Sequence, residues 1–351
     1  MVYLNRQHNF IQPDFNERPR FNRKRFNTIV SVLILLTIGY FAFKLGTTPN
    51  VIEVQNEPAP FWLKVASIFN LAPEPIDPDY IMPEEELDRF DVLVMGLRGE
   101  DDPDAKDGGA LLTDTMMILS YDKITKKASL TSVPRDLYVK IDKNKKDKIN
   151  TAYEYGYYHK NGGLSYAKEL LSKITGVYID KAVLLDFSSF EKIIDQVDGI
   201  DIVLASPFTE KEQWGYEFTL PAGPNHLDGK NALYYARSRF SSNDFDRSRR
   251  QQEVIFALKN KLTTMNFWAD PLKTLSILNS IRSNIKTDIN IWNTKELMEL
   301  SRDVDSSGKI KKYVMDTSNL LYDSRVNGSY VLLPNGDNFS QIKQLFQDNL
   351  K

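Results

Sequence analysis

The chain has 351 residues, 42% hydrophobic and 26% charged, a composition that supports a real core, and 45 basic against 47 acidic side chains leave a formal net charge of -2. No cysteine is present and there are only three histidines (His8, His159, His226), which excludes a disulfide framework and a Cys-based zinc site and argues against a His-rich metal site or a Ser-His-Asp triad. A sequence pI near 6.0 argues against a general nucleic-acid binder, so the chemistry falls to Asp, Glu, Arg, Lys or a hard metal ion.

In chain order, residues 1–27 form a basic tail with six Arg and Lys side chains against Asp14 and Glu17. Residues 28–43, "TIVSVLILLTIGYFAF", carry no charge, and with Lys44 as a snorkelling end residue the span reaches Gly46. This length suffices for a transmembrane signal anchor over 28–46. No small-x-small cleavage site follows it. Beyond it, residues 47–90 hold Lys64 and Arg89 against nine acids. The positive side stays in the cytoplasm, so the sequence predicts a cytoplasmic N-terminus and an extracytoplasmic body in the cell membrane. The basic tail beside the membrane is explained by anionic lipid. Residues 47–88, rich in proline and acid, read as a stalk, and 89–351 as the folded domain.

"FDVLVMGL" reads as a buried strand running into a loop rich in Gly, Asp and Pro, "RGEDDPDAKDGGALLTD". "TMMILSYD" and "KASLTSVPR" follow as two strands joined by a turn. "INTAYEYGYY" and "GLSYAKELLSKITG" look helical, the second ending at Gly176. "KAVLLDF" is a strand, Ser188 and Glu191 have capping-box spacing for the next helix, and "IDIVLA" is another strand. A short helix begins near Asp228, and a long one covers "RSRRQQEVIFALKNKL", capped by Asp244 or Asp246. A strand pair at "KIKKYVMDT" and "SYVLLP" and a terminal helix close the chain. Mixed strands and helices predict one α/β domain with a central mixed sheet flanked by helices.

Three clusters carry candidate chemistry. The acidic loop (Glu100, Asp101, Asp102, Asp104, Asp107) ends at Asp114, and gathered carboxylates suit magnesium or calcium. Asp101, Asp104 and Asp107 also read as ordinary solvated acids, whereas Asp114 sits at a strand mouth. In "SVPRDLY", Arg135 and Asp136 follow a strand, and Arg135 reads equally as half of a salt bridge to Asp114. The third cluster packs Arg237, Arg239, Arg247, Arg249 and Arg250 into fourteen positions. Arg247, Arg250, Gln251 and Val254 recur at helical spacing, near a helix start that favours anions, while Arg249 points to solvent. Guanidinium groups bind phosphate oxygens two at a time, so the cluster reads as a diphosphate cradle.

"TDTMMILSYD", "SVPRDLYVKI", "KINTAYEYG", "AGPNHLDGKNALYYARSR" and "DFDRSRRQQ" stand in the order of the LytR-CpsA-Psr family, which the chain resembles from about Asp91 to Leu262. The resemblance implies an Mg2+-dependent extracytoplasmic phosphotransferase that moves a glycopolymer from a polyprenyl-diphosphate carrier onto a sugar hydroxyl of peptidoglycan. It implies Asp114 as metal ligand, with Arg135, Asp136, Arg237 and Arg247 in catalysis. It implies that Arg135, Arg237, Arg239, Arg247, Arg250 and Gln251 bind the diphosphate. Two positions depart from the family pattern: Arg98 stands where an aspartate is usual after the first strand, and Leu112 stands where arginine is common. Asp102 or Glu100 then supplies the second metal carboxylate, or Arg98 replaces part of the metal's charge. A glycopolymer receptor without turnover and a lipid-diphosphate hydrolase are the rival readings.

Overall fold

The strand Arg89–Leu97 (β1) is buried along almost its whole length, and its apolar run has no polar face to offer solvent. It lies inside the central sheet of a computed structural model that describes residues 80–99, 105, 109–160, 162–265, 285–289 and 310–351. The basic tail, the anchor and most of the stalk expected from the sequence lie outside these residues. No helix among the described residues is long and apolar enough to cross a membrane.

Thr113–Asp122 (β2) and Ala128–Ser132 (β3) follow as an antiparallel meander on β1. Tyr138–Asp142 (β4) and Lys145–Lys148 (β5) make a separate hairpin, leading through the 3-10 turn Ile149–Thr151 into Ala152–His159 (α1) and Gly163–Thr175 (α2). Lys181–Asp186 (β6) returns parallel to β1 before Phe187–Gln196 (α3). Four short strands, Ile200–Leu204 (β7), Phe208–Glu210 (β8), Phe218–Leu220 (β9) and Gly223–Leu227 (β10), pair as two ribbons apart from the main sheet. Gly229–Arg237 (α4) and Asp244–Thr264 (α5) come next. Ile285–Thr287 (β11) and Lys311–Val314 (β12) supply the two sheet edges. The hairpin Leu321–Val326 (β13) and Ser329–Pro334 (β14) and the helix Ser340–Asp348 (α6) complete the chain. The sheet order is β11-β6-β1-β2-β3-β12, mixed, as the sequence predicts.

Alternation along β1 and β2 sends Leu93, Met95, Leu97, Met116 and Ile118 to one face, where they pack with Leu171 and Ile174 of α2 and Ile342 and Phe346 of α6. Each such fully buried side chain contributes roughly 1.5–3 kcal/mol relative to exposure. α5 crosses the other face, where the amide of Gln252 donates to the Ser132 hydroxyl at 2.7 Å and the Tyr313 carbonyl at 2.8 Å. A second core beneath α3, α4 and α5 collects Ile194, Ile200, Leu227, Tyr235 and Val254. At the sheet end away from the site, buried Arg89 and Asp91 pair at 2.5 Å, and the Ser120 hydroxyl donates to the same carboxylate. Tyr80, in the stretch expected as stalk, packs on Phe339 and its hydroxyl accepts from the Lys140 amide at 2.8 Å.

Gly176 ends α2 in the left-handed region (φ 73°), as its placement after the helix predicts. Three local expectations are corrected. α3 is capped by Asp186, whose carboxylate accepts from the Ser189 amide, so Ser188 falls inside the first turn. α5 is capped by Asn243, and Asp244 and Asp246 occupy its first turn, where their charges suit the dipole. The strands near 311 and 330 do not pair: β12 joins β3 in parallel, and β14 takes β13.

Candidate active site

At the mouth of the central strands β2 has one residue more than β1 can match. Gly96 faces Thr115 and Leu97 faces Thr113, leaving Asp114 as a bulge. A bulge re-aims a side chain and ends regular pairing, which turns the Asp114 carboxylate out of the ladder. Arg135 Nη1 donates to its Oδ1 at 2.6 Å, and Arg98 Nε to its Oδ2 at 3.3 Å. Burial alone would raise this carboxyl; Arg135, Arg247 and Arg98 together hold it below the ordinary carboxylate range.

The first turn of α5 brings Asp244 and Arg247 to the same place. Arg247 is 5% exposed and forks onto the Asp244 carboxylate (Nη1–Oδ1 2.9 Å, Nη2–Oδ2 3.2 Å), and its Nη2 also donates to the Asp114 carbonyl at 2.9 Å. Helix and strand bulge are thereby pinned together. Arg135 stands between the two carboxylates, with Nε 3.7 Å from Asp244 Oδ1 and 3.6 Å from Asp136 Oδ2. Burial would lower its pKa, but Asp114, Asp244 and Asp136 raise it. Arg239 is pressed the other way: burial and then the Arg135 charge depress its pKa, and Arg98 adds to the effect. Four guanidinium groups (Arg98, Arg135, Arg239 and Arg247) thus stand with three carboxylates (Asp114, Asp136 and Asp244), and Lys148 on Asp136 adds a further cation, an excess of positive charge among the described residues. The Nε atoms of Arg135 and Arg247 are buried and have no hydrogen-bond acceptor among those residues. A buried cationic donor left unmet is costly, and an anion's oxygens would satisfy it.

The other predicted site residues divide. Asp136 is buried and accepts from Lys148 Nζ at 2.6 Å, a partner that the strand β5 supplies. Arg237 places its guanidinium 4.0 Å over the Phe187 ring and 5.3 Å from the Trp214 ring. Arg250 departs from the expected diphosphate role. Its buried guanidinium donates to the carbonyls of Tyr235 (3.0 Å) and Ser238 and to the Ser242 hydroxyl (3.1 Å), so it fastens the end of α4. Gln251 is half-buried, and its neighbour Gln252 is the glutamine that reaches the sheet. Arg249 is exposed, as expected, and pairs with Asp246 and Asp316. Asp102 and Glu100 lie outside the described residues. Sequence reasoning did not single out Lys148, although it falls within the "KINTAYEYG" stretch. It also passed over Gln213 and Trp214, loop residues with no motif to mark them.

The donor set is compatible with a hard divalent ion held jointly with a ligand. The Asp114 carboxyl is held below the ordinary carboxylate range by Arg135, Arg247 and Arg98, and Asp244 shares Arg135 with it. Magnesium takes one or two carboxylates and fills its remaining positions with phosphate oxygens and water. Among the described residues no group of three or more His, Asp or Glu is arranged to hold a metal ion, so they do not by themselves form a closed protein cage.

A sequence model of the LytR_cpsA_psr family matches residues 70–348. The chain is 26% identical over 334 residues to the polyisoprenyl-teichoic acid--peptidoglycan teichoic acid transferase TagV of Bacillus subtilis, covering 93% of this chain and 78% of TagV. It is 29% identical over 266 residues to the regulatory protein MsrR of Staphylococcus aureus, covering 74% and 75% of the two chains. The crystal structure of B. subtilis TagV superposes with a TM-score of 0.58 at 27% identity, over 76% of this chain and 98% of that one.

Proposed function

The chain belongs to the LytR_cpsA_psr family, and on that premise we propose that it is a membrane-anchored, magnesium-dependent phosphotransferase. It moves a glycopolymer from a polyprenyl-diphosphate carrier onto a sugar hydroxyl of peptidoglycan, outside the cytoplasmic membrane. One observation carries the reading: two buried Nε donors, on Arg135 and Arg247, have no acceptor within hydrogen-bond distance among the described residues, in a cluster richer in guanidinium than in carboxylate. Such a cluster suits a diphosphate. The name of the TagV relative, a transferase of teichoic acid from a polyisoprenyl carrier to peptidoglycan, supports the same substrate class.

Phosphoryl transfer needs positioning and neutralisation of charge more than covalent help from the protein. Arg135 and Arg247 grip the diphosphate oxygens, and Arg239 and Arg237 extend the cradle on its α4 side. Asp244 and Asp114 hold the two inner arginines in orientation. Asp136, tied to Lys148 and close to Arg135, orients the guanidinium and is not the base. An acceptor hydroxyl attacks the phosphorus that carries the glycopolymer, a new P–O bond forms, and the bond to the bridging diphosphate oxygen breaks. Lipid monophosphate and one proton are released. Magnesium bound at Asp114 would add charge neutralisation on the phosphates.

The test is product analysis. The full-length chain is incubated with a labelled polyprenyl-diphosphate sugar, magnesium and peptidoglycan oligomers. Label on the oligomer, lost in Arg247→Ala, is the predicted result. Free labelled sugar phosphate would convert the reading to a hydrolase. Binding without any product would favour a regulator, the role in the name of the MsrR relative.

A further inference from the structure

The loop between β8 and β9, Lys211–Glu217, lies against the short segment that joins α4 to α5. Its side chains address backbone there. The Gln213 carboxamide uses both of its ends: Nε2 donates to the Arg237 carbonyl at 3.1 Å, and Oε1 accepts from the Arg239 amide at 2.7 Å. Trp214 Nε1 donates to the Ser238 hydroxyl at 3.1 Å, and that hydroxyl donates to the Tyr234 carbonyl at 2.6 Å. The indole is stacked on the Tyr234 ring, 4.4 Å away with planes 4° apart. At the end of β8, the fully buried Glu210 carboxylate accepts from the Ser241 amide at 3.1 Å and its hydroxyl at 2.8 Å. Arg250, on α5, also holds the carbonyls of Tyr235 and Ser238.

Helix α4 ends at Arg237, and Ser238 turns to extended backbone (φ -55°, ψ 131°). This turn separates the directions of Arg237 and Arg239 and delivers Arg239 to the cation cluster. A junction of this kind has few ladder bonds of its own, so side chains decide its conformation. Gln213 spans it from the carbonyl of one arginine to the amide of the other.

We propose that Gln213, supported by Trp214, is a positioning residue that fixes the Arg237–Ser238–Arg239 turn and thereby sets the affinity of the cradle for a diphosphate. The proposal rests on the reading of the cluster as a diphosphate site. Glutamine suits the task because its amide donates and accepts at once. Leucine has similar size and can do neither.

Calorimetric titration of inorganic pyrophosphate into the full-length, detergent-solubilised chain tests it. Arg239→Ala weakens binding, and Gln213→Leu weakens it about tenfold, within the coupling range of contacting residues. In the Arg239→Ala background Gln213→Leu adds little, because it acts through that arginine. Trp214→Phe keeps the stack, loses the Ser238 bond, and weakens binding by a smaller factor; it serves where Gln213→Leu does not fold. Additive effects of Gln213→Leu and Arg239→Ala, or unchanged affinity in both Gln213→Leu and Trp214→Phe, overturn the positioning role and leave the cradle standing. Failure of the wild type to bind pyrophosphate, or an Arg239→Ala variant with wild-type affinity, overturns the cradle and the positioning role together.

Discussion

Arg247 Nη2 donates to the backbone carbonyl of Asp114, 2.9 Å away and 133 positions earlier in the chain. That bond joins the first turn of α5 to the bulge in β2, so the main arginine helix is aligned on the central sheet rather than hung from a loop. The same guanidinium forks onto Asp244, and its buried Nε has no hydrogen-bond acceptor among the described residues.

Asp114→Asn keeps the shape and removes the charge opposite Arg135. Loss of one partner from a largely buried pair predicts destabilisation by roughly 3 kcal/mol at neutral pH. The Asp114 carboxyl is held below its ordinary range when folded, so its contribution is present above that range and lost as the pH falls through the folded pKa. Urea unfolding at several pH values checks this: the variant's stability falls less steeply than the wild type's in acid. A variant as stable as wild type at pH 7 counts against the pairing.

Arg239 and Arg247 separate binding from stability. Arg247 is buried between Asp244 and the Asp114 carbonyl, and Arg247→Ala lowers both pyrophosphate affinity and the thermal midpoint. Arg239 is half-buried and repelled by Arg135 and Arg98. Arg239→Ala therefore lowers affinity about tenfold, the scale of a charge-assisted contact, with no loss in thermal midpoint. Thermal unfolding and calorimetry on the same two proteins check both halves, and equal destabilisation by the two changes contradicts the assignment.

A ligand that binds only the folded state stabilises it by mass action. At a hundredfold excess over Kd, pyrophosphate adds about 2.7 kcal/mol, which for a domain of this size raises the thermal midpoint by roughly 5 °C. Magnesium enlarges the shift and a chelator reduces it, because Asp114 and the phosphate oxygens would share the ion. Asp114→Asn abolishes the magnesium increment. A shift identical with magnesium and with chelator contradicts the proposed metal dependence.

At the far end of the sheet Asp180 is pushed up to about 6, mainly by burial. Its folded pKa lies above the unfolded value, so the native state holds the extra proton and stability falls as the pH rises through that interval. Asp180→Asn can still accept from the Asp91 amide, which now reaches Asp180 at 2.7 Å. The variant is predicted to gain about 1 kcal/mol at pH 7, after screening of a part-exposed carboxyl. Urea unfolding at pH 5 and pH 7 checks it, and a loss at pH 7 counts against the burial argument.

The sheet was legible because β1, β2, β3 and β6 are short apolar runs bounded by Gly, Pro or Asp; β1, β2 and β3 neighbour one another in chain order, while β6 crosses back to the other side of β1. Asp114 and Arg135 were legible for the same reason: each sits where an apolar run meets a strand mouth. Arg250 was not. Helical spacing puts it near Arg247, but α5 is buried on more than one side, and spacing alone does not say whether a side chain meets the sheet or the end of α4. The cap of α5 was ambiguous because "NDFD" offers three competent oxygens in four positions. Gln213 was invisible because its partners are backbone atoms more than twenty residues away, set only when the β8–β9 ribbon folds against α4.

The central claim is that Arg135 and Arg247 hold their Nε protons for a diphosphate. NMR of arginine Nε–H groups in the nitrogen-15-labelled chain tests it most directly, with the two signals assigned through Arg135→Lys and Arg247→Lys. Titration with inorganic pyrophosphate is predicted to move both signals downfield and to slow their exchange with water. Saturable pyrophosphate binding that leaves both signals where they were would contradict the account.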